Sequence, residues 1–512
     1  SVTWRGGLER QGIRRNRSSA ESWSDGRNAG FPHALTRECT GGVIILITMA
    51  TRFTSRHTHA SGTRHALRRG GNAGIAALDT GGSGASATVR RASTGGRKRM
   101  VSIEVLRLLA IVSIAIFHAF LQQYVQAIWM GPHHSVAAAE PVSALASSRG
   151  AMWIVAMIMY CGAWGNHIFF MISGFFLIPR MCAAAGARGH WASQLRAAGR
   201  RMLMILATVL FYLLLVMAIT RWVVPGMGGE RSSSLVYELE FVWLYLVFVA
   251  LAPVIARVMA RLGIRGSAVA AGVVLVAVYA LNIYVAVTWQ AQYGQRSLLD
   301  WRKQMSAVSY ALSFVLAGLL GWAMRAGVHG RRGAHGEKRG ARHADTRPWW
   351  TVRGFWLCAI VVLLAVAAAL TAIMAARPSY VALYALSFKS TSPISFALAV
   401  CALMAAACSP GRARVHIGPR VESAITALAS GILGFYVVQT LADFLWHGVN
   451  ARFLDPLLAH AASLSAGSAS MFGWLIVWIA VGAVLSLVYV VAICLFDRCV
   501  RRPLLRAVHL SK

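Results

Sequence analysis

From Met100 onward, runs of strongly apolar residues recur along the chain, each closed off by a cluster of Arg, Gly or Pro. Their length is the one a helix needs to cross a bilayer, because about 20 residues at 1.5 Å of rise cover about 30 Å of hydrocarbon. The pattern predicts ten spans, near 103–124, 151–178, 202–222, 235–256, 266–288, 305–324, 354–376, 391–408, 421–446 and 472–496. The second and ninth are long enough to be tilted or broken, and the eighth is short. The expected fold class is an all-α membrane protein, a bundle of about ten transmembrane helices.

Residues 1–99 follow no such pattern. They are rich in Gly, Ser, Thr, Ala and Arg, with no lasting period of 3.6 or 2, and cannot bury enough apolar area to fold alone. The apolar run at 41–50 is about half the length of a span, and it lies too deep in the chain for a signal peptide. Residues 1–99 are therefore expected to be a basic low-complexity leader, either disordered or not natively translated. In the second case translation would start at Met100 or Met49. The membrane domain is expected over 100–501, with a cytoplasmic tail over 502–512.

Composition supports the same division. With 57% hydrophobic and 13% charged residues, the chain is far from the roughly 25% charged residues of a soluble domain, so a single water-soluble globule is excluded. The net charge of +34 suggests nucleic acid at first sight, yet 17 of the 51 basic residues precede Met100 and face only five acids there. Charge is concentrated where hydrophobicity is not, and no nucleic-acid partner is needed to explain it. With the N-terminus taken as cytoplasmic, inside segments carry 24 Lys and Arg against 9 outside when Arg221 at the outer end of the third span is counted, so both termini are expected in the cytoplasm. The basic segment from Arg325 to Arg353, with Arg331, Arg332, Lys338, Arg339, Arg342 and Arg347, reads as a topology determinant beside anionic lipid. Eight cysteines show no metal or redox spacing, so neither zinc, disulfides nor a permanently bound cofactor is expected.

The first span carries three ionisable residues, Glu104, Arg107 and His118, and such groups cost at least about 2.5 kcal/mol each in hydrocarbon. Glu104 and Arg107 stand i, i+3, as neighbours on one helix surface. Arg107 and His118 are three turns apart on nearly the same face, roughly 16.5 Å along the axis. Taken alone, Arg107 suits a snorkelling anchor paired with Glu104 as well as a working cation. His118 suits either a satisfied core histidine or a neutral general base.

Together these residues resemble acyltransferase family 3, the integral-membrane O-acyltransferases. The resemblance rests on Arg107 and His118 with ten residues between them, then Phe169-Phe170-Met-Ile-Ser173-Gly174-Phe in span 2, Trp243-Leu-Tyr245 with Pro253 in span 4, and Leu433-Gly-Phe-Tyr436 in span 9. It covers Met100 to about Arg501. Two positions depart from it, since the family often has Asp where Glu104 stands and His where Gln439 stands.

The resemblance implies acyl transfer, commonly of acetyl, from cytoplasmic acyl-CoA to a hydroxyl of a cell-surface or lipid-linked glycan, at the plasma or inner membrane. Acyl-CoA would be a co-substrate, and the partners would be that donor, the glycan or glycolipid acceptor and membrane lipid. His118 and Glu104 are the expected catalytic residues, His118 as the base and Glu104, too distant to orient the imidazole directly, as the partner of Arg107. Arg107, Arg196, Arg200 and Arg201, with Arg180 and Arg188 nearby, would hold the donor phosphates; a positive-inside loop would look the same. Phe169, Phe170, Ser173 and Gly174 would shape a donor tunnel, Ser173 allowing close packing rather than acting as a nucleophile. His167 reads either as a neighbour of that cavity or as a polar helix-start residue. In span 9, Tyr436, Gln439, Asp443 and His447 share a face directed outward, which makes the first three acceptor-side candidates or an interfacial packing stripe. The rival readings are a transporter or flippase of a polysaccharide intermediate, and a membrane scaffold. A transporter often repeats its key segments in two halves, and no second apolar span carries an Arg-x10-His segment, nor is the Phe-Phe-Met-Ile-Ser-Gly run repeated. A scaffold leaves His118 unexplained.

Overall fold

A computed structural model describes residues 100–129, 140–223, 239–288, 301–334, 349–377, 380–387, 391–408 and 418–507. The leader, the centre of the basic 325–353 segment and the last five residues lie outside them. Among the described residues the secondary structure is helical, as lipid requires of a chain that must satisfy its own backbone groups.

The helices are α1 (Val101–Trp129), α2 (Glu140–Ser147), α3 (Arg149–Ala183), α4 (His190–Trp222), α5 (Glu240–Thr288), α6 (Trp301–Ala334) and α7 (Arg353–Ala375). They continue as α8 (Val381–Ser387), α9 (Pro393–Ala407), α10 (Pro419–Ala429), α11 (Ile432–Leu441), α12 (Asp443–Ala462), α13 (Ala469–Phe496) and α14 (Arg502–Ala507). Local sequence sets several starts. Ser148 and Ser468 cap α3 and α13 by accepting from the Ala151 and Met471 amides. Pro393 and Pro419 occupy first-turn positions where no amide hydrogen is needed.

Eight helical segments are long and apolar enough to cross a membrane, and every predicted span falls on a helix. Two differences are physical. The fourth and fifth spans are two helices that follow one another within α5 and meet at Gly263, whose φ of 71° is not helical; the Arg257 to Arg265 stretch, expected to be a loop, is helical on either side of that residue. The ninth span is broken twice, at Ser430–Gly431 and at Ala442, into α10, α11 and α12. The second span, α3, is unbroken and accommodates Pro179 in its last turns.

The long helix α3 is the centre of the bundle and packs chiefly on α6 and α1. Small residues make these approaches possible. A Cβ at Gly162 or Gly165 would collide with Phe117 or with Ala110 and Ile114 of α1, and one at Gly174 would strike the Phe314 carbonyl of α6. From the other side, Gly318 receives Ile178 and Gly321 receives Phe175. The periphery has the opposite character: Val269, Val273 and Val276 on α5 and Val361 and Val362 on α7 are all exposed. Such continuous apolar surface suits lipid and not water.

Candidate functional site

Glu104 lies in the first turn of α1, where the helix dipole favours an acid. It is buried, and Arg107 Nη1 donates to both of its carboxylate oxygens at 3.0 Å. Arg107 keeps about a third of its side chain exposed. Between Arg107 and His118, the side chains of Ile111, Ile114 and Ala115 are buried against Phe435 and Tyr436 of α11 and Tyr489 of α13. His118 follows Ile114 by one turn and is partly buried, its ring edge-to-face with Phe117 at 5.0 Å.

The Phe-Phe-Met-Ile-Ser-Gly run of α3 gathers aromatic side chains from three other helices. Phe169 contacts Tyr436 at 4.4 Å, Tyr245 at 4.8 Å and Phe241 at 5.1 Å between ring centroids. Phe241 stacks on Tyr436, and Phe170 stacks on Tyr310 of α6. Pairs of this geometry contribute about 0.5–1.5 kcal/mol each beyond area burial. The cage therefore holds α3, α5, α6 and α11 at fixed spacing. Ser173 Oγ donates to the Phe169 carbonyl at 3.0 Å and lies 3.3 Å from the Tyr245 hydroxyl.

The four basic candidates do not share one environment. Arg196 and Arg200 are exposed on α4. Arg201 is half-buried, within electrostatic reach of Tyr245 and Arg180, and its Nη1 is buried without a hydrogen-bond partner. Arg201 thus belongs with the Ser173–Tyr245 pair, whereas Arg107 belongs with Glu104.

In span 9, Tyr436 is buried in the cage and donates to the Gly165 carbonyl at 3.4 Å. Gln439 Nε2 donates to Asp443 Oδ1 at 2.8 Å across the break at Ala442, and His447 Nε2 lies 3.7 Å from Asp443 Oδ2. The stripe thus divides: Tyr436 joins the aromatic cage and the other three form a polar chain.

Sequence reasoning missed Tyr245 as a partner of Ser173, and Phe241 and Tyr310 as cage members, because cross-helix contacts leave no local spacing signal. His167 is not at a helix start; it lies in the middle of α3, fully buried, with Nδ1 2.7 Å from Ser313 Oγ on α6. A second buried cluster was also missed. Asp497, fully buried after α13, accepts from the Tyr212 hydroxyl at 3.0 Å and from Arg501 and Arg502, while Arg501 also donates to Thr208. It joins the end of α13 to α4, and Gly434 of α11 packs directly against it.

An apolar helical bundle of this kind, with eight helical segments among the described residues long and apolar enough to cross a membrane, has the architecture of an integral-membrane protein. The chain belongs to the Acyl_transf_3 family, whose acyltransferase domain matches residues 100–495, and is a membrane acyltransferase. Neither a curated protein nor a solved structure matches it.

Proposed function

We propose that this acyltransferase moves an acetyl-class acyl group from acyl-CoA, approached from the cytoplasm, to a hydroxyl of a cell-surface or lipid-linked glycan in the plasma or inner membrane. Both termini face the cytoplasm in this reading, which the Lys and Arg distribution supports. The observation that carries it is the layout of α1: an Arg107–Glu104 ion pair at one end and, three turns on, a partly buried imidazole one turn beyond Ile114 and Ala115, which pack with Tyr436 and Tyr489.

His118 takes the proton of the acceptor hydroxyl as that oxygen attacks the thioester carbonyl. The C–S bond then breaks and the departing thiolate takes the proton back from the imidazolium. Arg201, with an unpaired guanidinium N–H beside Tyr245, meets the donor's phosphates or polarised carbonyl, and Arg107 adds positive charge at the entrance. Arg196 and Arg200, exposed on α4, attract the polyanionic donor by their field. Phe169, Phe170, Ser173 and Gly174 shape the passage for the acyl arm, and Gln439 and Asp443 contact the acceptor.

The test compares the O-acyl content of surface polysaccharides and glycolipids in cells with and without this protein. A missing O-acetyl group supports the reading and identifies the acceptor. Unchanged acylation together with altered export of a glycan would contradict it.

A further inference from the structure

Asp443 stands among polar atoms that the fold leaves unpaired. Gln439 gives its Nε2 to Asp443, and its Oε1 is buried with no partner. Trp446, one turn beyond Asp443, stacks on Tyr489 of α13 at 4.3 Å and 14°. The Trp446 Nε1 and Tyr489 Oη are both buried and unpaired, as is Oδ1 of Asn450 one turn further along α12. Gln439, Tyr489 and Asn450 are 6%, 7% and 6% exposed. The Asp443 charge is within electrostatic reach of Tyr489. Trp446 and Tyr489 pack in one cluster with Ile111, Ile114 and Ala115 of α1, next to the turn that carries His118.

An unpaired buried polar atom gives up its hydrogen bonds to water and gets none in return, and native structures contain only a few such atoms per hundred residues. Four of them lie close together in the fold, on Gln439 that donates to Asp443, on Trp446 and Asn450 at the next two turns of α12, and on Tyr489 stacked on Trp446, and they mark a place where a ligand can complete the hydrogen bonds. Its balance of donors and acceptors is informative. The Asp443 carboxylate and the oxygens of Gln439 and Asn450 only accept, Trp446 only donates, and Tyr489 can do either. A complementary ligand must donate several hydrogen bonds. It must also lack negative charge, because the Asp443 carboxylate, a third exposed and 3.7 Å from His447 Nε2, would oppose an anion.

We infer that the acceptor is a neutral or amino polyol and not an acidic sugar, and that Trp446, Tyr489 and Asn450 bind it together with Gln439 and Asp443; this rests on the glycan reading above. The three added residues set acceptor specificity and take no part in donor binding.

The test uses the purified full chain with labelled acetyl-CoA and three acceptors: methyl glucoside, methyl glucosaminide and methyl glucuronide. The glucoside and glucosaminide are expected to react with kcat/KM at least tenfold above the glucuronide. In Tyr489→Phe and Asn450→Leu, the acceptor KM is expected to rise about tenfold while the acetyl-CoA KM stays constant. Their melting temperatures should stay level or rise, because each change removes an unpaired polar atom at nearly constant volume. Equal use of the glucuronide, an unchanged acceptor KM in Tyr489→Phe, or a marked drop in its melting temperature would overturn this inference alone. A wild-type protein that acylates none of the three would overturn the glycan reading and this inference with it.

Discussion

Arg107 reaches both carboxylate oxygens of Glu104 through a single nitrogen, at 3.0 Å each, and so places a buried acid beneath a guanidinium that is still one-third exposed. The pair fixes the orientation of the cation while leaving part of it accessible. Holding the fold and holding a donor are separable roles. In Arg107→Ala the Glu104 carboxylate is left buried and unpaired, a situation that costs about 3–5 kcal/mol in fully buried pairs and less here, because Arg107 is partly solvated. The swap Glu104→Arg with Arg107→Glu is expected to recover most of the lost thermal stability and none of the lost transfer. Melting curves and initial rates on the same preparations check both outcomes.

Gly174 is expected to tolerate no side chain. Its Cβ would enter the Phe314 carbonyl, and backbone cannot move aside as a flexible side chain can. Gly174→Ala should separate α3 from α6, shift the Phe169–Tyr436 cage and lower stability by at least the ~1–3 kcal/mol typical of overpacking. Gly272→Ala on α5, where a Cβ meets nothing within 4 Å, is the control and should melt like the wild type.

Ser173 hydrogen-bonds back to the carbonyl of Phe169 within its own helix, a use of serine that adjusts helix geometry and does not activate the hydroxyl. The Tyr245 phenol at 3.3 Å is a poor base. Ser173→Ala is therefore expected to keep at least about a tenth of the transfer rate, since one neutral hydrogen bond contributes about 0.5–1.5 kcal/mol. Intact-mass measurement after incubation with acyl-CoA should find no acyl adduct on the wild type.

Much of this arrangement was legible in the chain before its structure. The Glu104–Arg107 contact follows from i, i+3 spacing, and the Gln439–Asp443 contact from i, i+4 spacing, which holds even across the break at Ala442. Each apolar run coincides with helix, although only eight helical segments among the described residues are long and apolar enough to cross a membrane. What stayed hidden depends on residues distant in sequence. Tyr212 and Asp497 are 285 positions apart, and Asp497 reads locally as the polar end of a span. The Arg257–Arg265 stretch looked like a loop because its charges interrupt the apolar pattern, yet Arg257 turns to the Ala185 carbonyl and the helix continues to Gly263.

The Asp497 cluster has its own consequence. The carboxylate is fully buried and accepts from Tyr212, Arg501 and Arg502, so Asp497→Ala would leave the buried Arg501 guanidinium uncompensated. A loss of about 3–5 kcal/mol is expected, enough to unfold a marginally stable protein. Tyr212→Phe removes one hydrogen bond to a charged group and should cost about 1.5–3 kcal/mol. Thermal unfolding in detergent, read by intrinsic fluorescence, distinguishes the two.

Asp443→Asn keeps the size of the side chain and removes its charge. It should raise the acceptor KM several-fold while leaving the acyl-CoA KM within twofold, measured by varying each substrate in turn.

The proposal that His118 is the base is tested most directly by the rate of labelled acetyl transfer from acetyl-CoA by purified His118→Ala protein, with its folding and donor affinity measured alongside. A general base of this kind contributes about 10²–10⁴-fold. A folded His118→Ala protein that binds acetyl-CoA like the wild type and transfers at least a hundredfold more slowly is the predicted result. Transfer within a factor of about three of the wild type would contradict it.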